Sequence, residues 1–176
     1  GTHEIGGSCV EIQNRNTRII IDIGIPLNVA EIDSDDILPK VEGLYSSTFP
    51  QKKVNAIFIS HSHLDHYGLL GNISKEIHIF IGEASKDLIE ISNLFMKDKC
   101  SINNYQILKA ENPILIGSIK ITPFLIDHSA FDSYCFFIEA DGKKILYTGD
   151  FRNHGRKGKL TDKITGRLSK HIDAVI

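Results

Sequence analysis

Apolar and polar positions change their period several times along this chain of 176 residues. Residues 9–13 and 17–24 are rich in β-branched side chains and flank the polar turn Asn14-Arg15-Asn16, which predicts a hairpin. From 26 to 53 the pattern dissolves into a polar, acidic stretch containing EIDSDD and prolines. It reads as a long surface connection with room for a helical turn. Residues 54–60, VNAIFIS, form a short, mainly apolar run of the kind that predicts a strand covered on both faces. Residues 77–81 repeat that signature, and Ala84, Leu88, Ile91 and Phe95 then recur at helical spacing, predicting an amphipathic helix with that face inward. Three more strands are expected at 118–127, 133–140 and 143–149, the last two joined by the hairpin turn Asp141-Gly142. A short helix at 161–170 and a final strand at 173–176 complete the pattern. Strands bunched at both ends, with strand-helix units between them, predict a layered α/β sandwich.

Composition narrows the function classes. With 41% hydrophobic and 24% charged residues, the chain suits a globular domain rather than a disordered one. A formal net charge of -2 supplies no overall field toward nucleic acid or anionic lipid, so a nucleic-acid substrate would need a local basic patch. No apolar stretch reaches the roughly 18 to 20 residues that span a bilayer, and no leader pattern is seen. Cys9, Cys100 and Cys135 are odd in number and widely spaced. They read as free thiols of a cytoplasmic protein rather than as a disulfide or thiolate-zinc framework. The chain begins without Met and stops inside the apolar run HIDAVI, so a piece of a longer protein is expected.

The strongest chemical signal follows the run 54–60, where HSHLDH packs three of the eight histidines and an aspartate into residues 61–66. His61 and His63 leave an extended chain two residues apart, so both imidazoles face one side and can meet one metal ion. If a helix begins at Leu64 or Asp65, then Asp65 and His66 swing elsewhere and suit a second, neighbouring ion. His128 and Asp150 also follow strands, and strand ends commonly deliver distant residues to one rim. Asp150 has two oxygens and can bridge the two ions. Taken singly, Asp65 reads as a helix cap, His128 as a hydrogen-bonded histidine and Asp150 as a turn former. Three histidines in six positions have no shared structural purpose, and this favours the metal reading. His78 reads as structural, and His154 as a residue that could approach substrate. Arg152, Arg156, Lys157 and Lys159 make a local basic stretch that fits phosphate contacts and a solvated loop equally well.

HSHLDH, the later His128 and the string YTGDFR together resemble the metallo-β-lactamase superfamily, whose first metal motif is H-x-H-x-D-H. The resemblance implies an αββα sandwich, of which residues 1–176 are the N-terminal part. It makes Asp22, in IIIDIG, a support for the metal loop. It implies a binuclear centre with His61, His63, His128 and Asp150 on one ion and Asp65, His66 and Asp150 on the other. His63 stands where the di-iron branch typically carries Glu, which favours zinc hydrolysis over redox chemistry. EIGGSC, GEASKDLIE and YTGDFR are most similar to the ribonuclease J and β-CASP nuclease branch. That branch implies a zinc-dependent phosphodiesterase acting on RNA or single-stranded DNA in the intact protein, with manganese as an alternative ion and Asp65 orienting the attacking water. It also implies a further ligand beyond residue 176 and a weakly held second ion. A small-molecule hydrolase (lactonase, thioesterase or phosphodiesterase) and a noncatalytic metal-stabilised domain remain the competing expectations.

Overall fold

Strand residues sort into two packed sheets in the computed structural model, which describes residues 6–27, 37–45, 52–96, 100–168 and 172–176. The first sheet runs in the order β1 (Val10–Asn14), β2 (Thr17–Ile21), β3 (Ala56–Phe58), β4 (His78–Ile81) and β5 (Tyr105–Ile107). The second contains β6 (Ile114–Ile116), β7 (Ile119–Leu125), β8 (Tyr134–Ala140), β9 (Lys143–Tyr147) and β10 (Ala174–Val175), in the spatial order β10-β9-β8-β7-β6. Among the described residues the α-helices are α1 (Leu64–Tyr67), α2 (Glu83–Ser92) and α3 (Lys159–Arg167). β1 and β2 form the expected hairpin, and β2 through β5 run parallel. β6 to β9 form an antiparallel meander, with β10 parallel to β9 at its edge.

The period of two along each strand divides the core. Ile20, Ile57 and Ile79 stand in one register row and face outward to meet Tyr67 of α1, Ile89 of α2 and Leu44. Ile19, Ile21, Phe58 and Phe80 face inward against Ile119, Ile121, Phe136, Ile138 and Tyr147 of the second sheet. Phe58 and Phe80 stack with centroids 4.6 Å apart. Behind the second sheet, Ile164 of α3 joins Phe124, Ile126 and Cys135 in a third cluster. The layers are therefore α, β, β and α, as expected. Burying an Ile or Phe side chain contributes on the order of 1.5–3 kcal/mol, so the doubly covered strands carry much of the stability.

The structure departs from the sequence reading at four points. The apolar stripe read as an amphipathic helix faces outward: Leu88 and Ile91 of α2 are exposed and Phe95, past the helix end at Ser92, is 87% exposed, while Ser85 and Ile89 are buried. The cause lies at its N-terminus, where Asp132 accepts the Ala84 N–H at 3.1 Å and the Asp132 carbonyl faces the Ser85 hydroxyl at 3.4 Å. Small Ser85 permits that approach, and it rotates the helix. The stretch 26–53 lies partly outside the described residues, yet it is more than a surface connection: Leu44 is fully buried, and Ile37, Leu38 and Val41 pack against the outer core. β5 and β6 carry no long apolar run because each has only three residues and pairs at or near a sheet edge. The predicted strand 17–24 stops at Ile21 because Asp22 takes φ 58°, a left-handed conformation uncommon outside Gly.

Candidate metal centre

Where β3 ends, Ser60 begins the turn toward the histidine cluster. His63 keeps extended backbone (φ -92°, ψ 144°) and α1 starts at Leu64. His61 and His63 thus leave extended chain, whereas Asp65 and His66 leave a helix. This change of direction separates the two pairs. The backbone of β2's continuation holds α1 in place: Ile23 N–H donates to the His66 carbonyl at 2.7 Å and Ile25 N–H to the Leu64 carbonyl at 3.0 Å. Contact is so close that a Cβ on Gly24 would lie 1.6 Å from the Asp65 carbonyl oxygen. His128 arrives from the loop after β7 and Asp150 from the loop after β9.

The fold brings all six candidate residues together in two groups. His61, His63, His128 and Asp150 form one, and Asp65, His66 and Asp150 the other, with the ligand atoms of each group within 4.8 Å of one another. In the first, His63 Nδ1 lies 3.1 Å from both His61 Nε2 and His128 Nε2. Asp150 divides its oxygens between the groups, Oδ1 standing 3.4 Å from His66 Nε2 and Oδ2 3.7 Å from His128 Nε2. Imidazole nitrogen and carboxylate oxygen are donors that suit a divalent ion such as zinc, and the residues present fit such an ion.

A buried carboxylate orients both groups. Asp22 is fully buried, and its Oδ1 accepts the Ser60 N–H at 2.7 Å. Its Oδ2 accepts the Ser60 hydroxyl at 2.7 Å, the Tyr147 hydroxyl at 2.6 Å and the His66 Nδ1–H at 2.7 Å. With the serine proton committed to Asp22, the Ser60 oxygen accepts from His61 Nδ1–H at 3.0 Å. Each arrangement protonates Nδ1 and leaves Nε2 free toward its cluster, as is common for metal-binding histidines. Sequence reasoning named Asp22 as a support but missed Ser60 and Tyr147. Their side chains meet Asp22 only through tertiary contacts, which spacing does not reveal.

Electrostatics follow from burial and these partners. Burial, with the neighbouring His66, His128 and His63, pushes His61 down to about 2, so its imidazole stays neutral. Burial alone would lower His66 too, but the hydrogen bond and charge of Asp22, joined by Asp150 and Asp65, outweigh it and raise His66. Burial lowers His128 against the opposing pull of Asp150. A cleft of about 320 Å³ opens beside the second group, lined by Ser8, Cys9, His66, Tyr147, Asp150 and Ile176 among others.

The remaining sequence candidates divide. His78 is half-buried, bonds Asn104 Oδ1 at 2.9 Å and packs edge-on against Phe80, a structural role. His154 is exposed on the loop after Asp150. The basic stretch of that loop is pinned by Asp127, a fully buried carboxylate the sequence reading passed over. Its oxygens accept the Gly155 N–H at 2.7 Å and the Lys157 N–H at 3.3 Å, and Arg152 Nε approaches to 3.6 Å. Cys9, Cys100 and Cys135 are free. Among the described residues no helix is long and apolar enough to cross a membrane.

Comparison with known proteins places this geometry. The RNase J-like protein of Methanocaldococcus jannaschii is 29% identical over 160 residues, covering 85% of this chain and 34% of that protein. Ribonuclease J 2 of Streptococcus pyogenes is 28% identical over 171 residues, covering 92% of this chain and 30% of the relative. The chain thus spans about a third of the length of these curated relatives. A solved structure of a protein of unknown function from Enterococcus faecalis superposes with a TM-score of 0.85 at 21% identity, over 98% of this chain and 47% of that one. A sequence model of the Metallo-beta-lactamase superfamily matches residues 4–174. That match takes in every residue from His61 to Asp150 that the fold draws into the two groups, and the chain belongs to the metallo-β-lactamase superfamily.

Proposed function

We propose that this chain carries the metal-binding part of a hydrolase that cleaves phosphodiester bonds in RNA or single-stranded DNA with two divalent cations, zinc by preference. The observation that carries the reading is the division of Asp150 between two donor groups, one oxygen toward each. Relatives named as ribonucleases support the substrate class. His61, His63, His128 and Asp150 would hold one ion, and Asp65, His66 and Asp150 the other. Such ions would lower the pKa of a bound water toward roughly 7 and neutralise charge on the attacked phosphate. The chain's own residues do the rest. Asp22 and Ser60 fix the imidazoles so that no rearrangement accompanies reaction. Asp65 orients the attacking water and takes its proton. Among the described residues the second group has three donors against four in the first, so we assign it the weaker ion and propose that a further donor completes it. Manganese would fit the same nitrogen and oxygen donors. We place the protein in the cytoplasm, a reading that the three free thiols support.

The test uses the full-length protein with zinc or manganese on labelled RNA, labelled single-stranded DNA, a generic ester and bis-nitrophenyl phosphate. Metal-dependent cleavage of RNA or single-stranded DNA is expected. Ester hydrolysis with no nucleic-acid cleavage would replace this reading with a small-molecule hydrolase, and salt-sensitive binding without cleavage would replace it with a binding domain.

A further inference from the structure

The loops after β7 and β9 deliver His128 and Asp150, and each carries a second feature that the metal chemistry does not use. On the first loop, Phe131 follows His128 by three residues, belongs to none of the three core clusters and is 70% exposed. On the second, Lys157 reaches back so that Nζ stands 5.8 Å from the centre of the Phe131 ring. Phe151, directly after Asp150, is 51% exposed. Sequence spacing hides this pairing, because Phe131 and the basic stretch are about twenty residues apart. Only the fold interleaves an aromatic with the cations.

The loop that presents Lys157 is fixed before any ligand arrives. Asp127 binds the backbone N–H groups of Gly155 and Lys157, and its carbonyl accepts the Arg152 N–H at 2.7 Å. The acidic groups that act on Lys157 are Asp127 and Asp132. Both are engaged elsewhere, Asp127 with that backbone and Asp132 with the Ala84 N–H. Arg156 and Lys159 stay exposed on the same stretch. A largely exposed ring with an ammonium over it and further cations on the same loop matches how single strands are bound without base readout: bases stack on rings while lysines and arginines follow the phosphates.

We propose that Phe131 and Lys157 form a stacking platform for one base of a single-stranded nucleic acid, with Lys157, Arg156 and Lys159 meeting the adjoining phosphates, so that the strand is seated beside the metal centre. This rests on the nuclease reading above. Stacking accepts any base, so the platform supplies affinity and register rather than sequence choice.

The experiment measures fluorescence anisotropy of labelled phosphorothioate RNA and DNA, which resist cleavage, on the full-length protein. Phe131→Leu should weaken binding about 5- to 100-fold, while Phe131→Tyr stays within about twofold of wild type. Lys157→Ala should weaken binding to all sequences and lower the salt slope by about one phosphate contact. Abasic oligonucleotides should bind wild type and Phe131→Leu equally. If leucine serves as well as tyrosine, the ring is only apolar cover and the platform is overturned, while the nuclease reading stands. A wild-type protein that ignores RNA and DNA yet hydrolyses bis-nitrophenyl phosphate overturns the nuclease reading and the platform together.

Discussion

The Tyr147 hydroxyl donates to Asp22 Oδ2 at 2.6 Å, joining the end of β9 in the second sheet to the residue that follows β2 in the first. Both side chains are buried, so losing the bond leaves an interior carboxylate with one partner fewer. Tyr147→Phe keeps the ring in the inter-sheet core and removes one of three donors on that oxygen. Losing a hydrogen bond to a buried carboxylate costs about 1–3 kcal/mol, and urea unfolding should show a midpoint lowered accordingly. An unshifted midpoint would mean that the hydroxyl contributes nothing to the fold.

Ser60 has the wider reach, since its hydroxyl serves Asp22 while its oxygen serves His61. Ser60→Ala should therefore weaken zinc binding by about 10- to 100-fold, the usual effect of removing an outer partner, and Ser60→Thr should restore most of it. Zinc-titration calorimetry reads both variants. Wild-type affinity in the alanine variant would remove Ser60 from the design of the centre.

Gly24 tests the metal loop without touching a candidate ligand. Its Cβ would fall on the Asp65 carbonyl, a backbone atom that a side-chain rotation cannot move away. Gly24→Ala should cost on the order of 1–3 kcal/mol through overpacking and should lower zinc content after desalting. A fully stable, fully loaded variant would show that α1 can slide to accommodate it.

The thiols give a prediction in pH. Burial, aided by the charges of Asp22 and Glu11, pushes Cys9 up to about 11; burial alone takes Cys100 to about 11, and Cys135 is driven to about 12. A thiol in an unfolded chain ionises near about 8.5, so all three stay protonated at pH 8 in the folded protein. Alkylation at pH 8, followed by mass spectrometry, should be slow until denaturant is added. The associated stability is full below about pH 8.5 and is lost as pH rises through the folded values. Rapid labelling of native protein at pH 8 would contradict this.

The sequence pointed to the candidate metal groups where chemistry was dense in the chain, at HSHLDH, and where an apolar run ended on a histidine or an aspartate, at His128 and Asp150. Layering was legible for the same reason: Ala56 to Ile59 are all apolar because β3 is covered on both faces. The direction of α2 was not legible. A helical period defines a stripe, but a capping contact from Asp132, 48 residues from Ala84, decided which stripe turned inward. The Asp22 hub was also hidden, because Ser60 lies 38 residues away and Tyr147 125. One aspartate in an isoleucine run announces a special position without naming its partners.

The two groups draw on both halves of the sandwich: His61, His63, Asp65 and His66 come from the first sheet's loop, His128 and Asp150 from the second's. An ion seated there would act as a rivet through the molecule. Saturation a hundredfold above its dissociation constant would add about 2.7 kcal/mol to the folded state. Withdrawing zinc would then loosen the halves and open the chain to proteolysis, so starvation for the cation would deplete the protein itself as well as silence it.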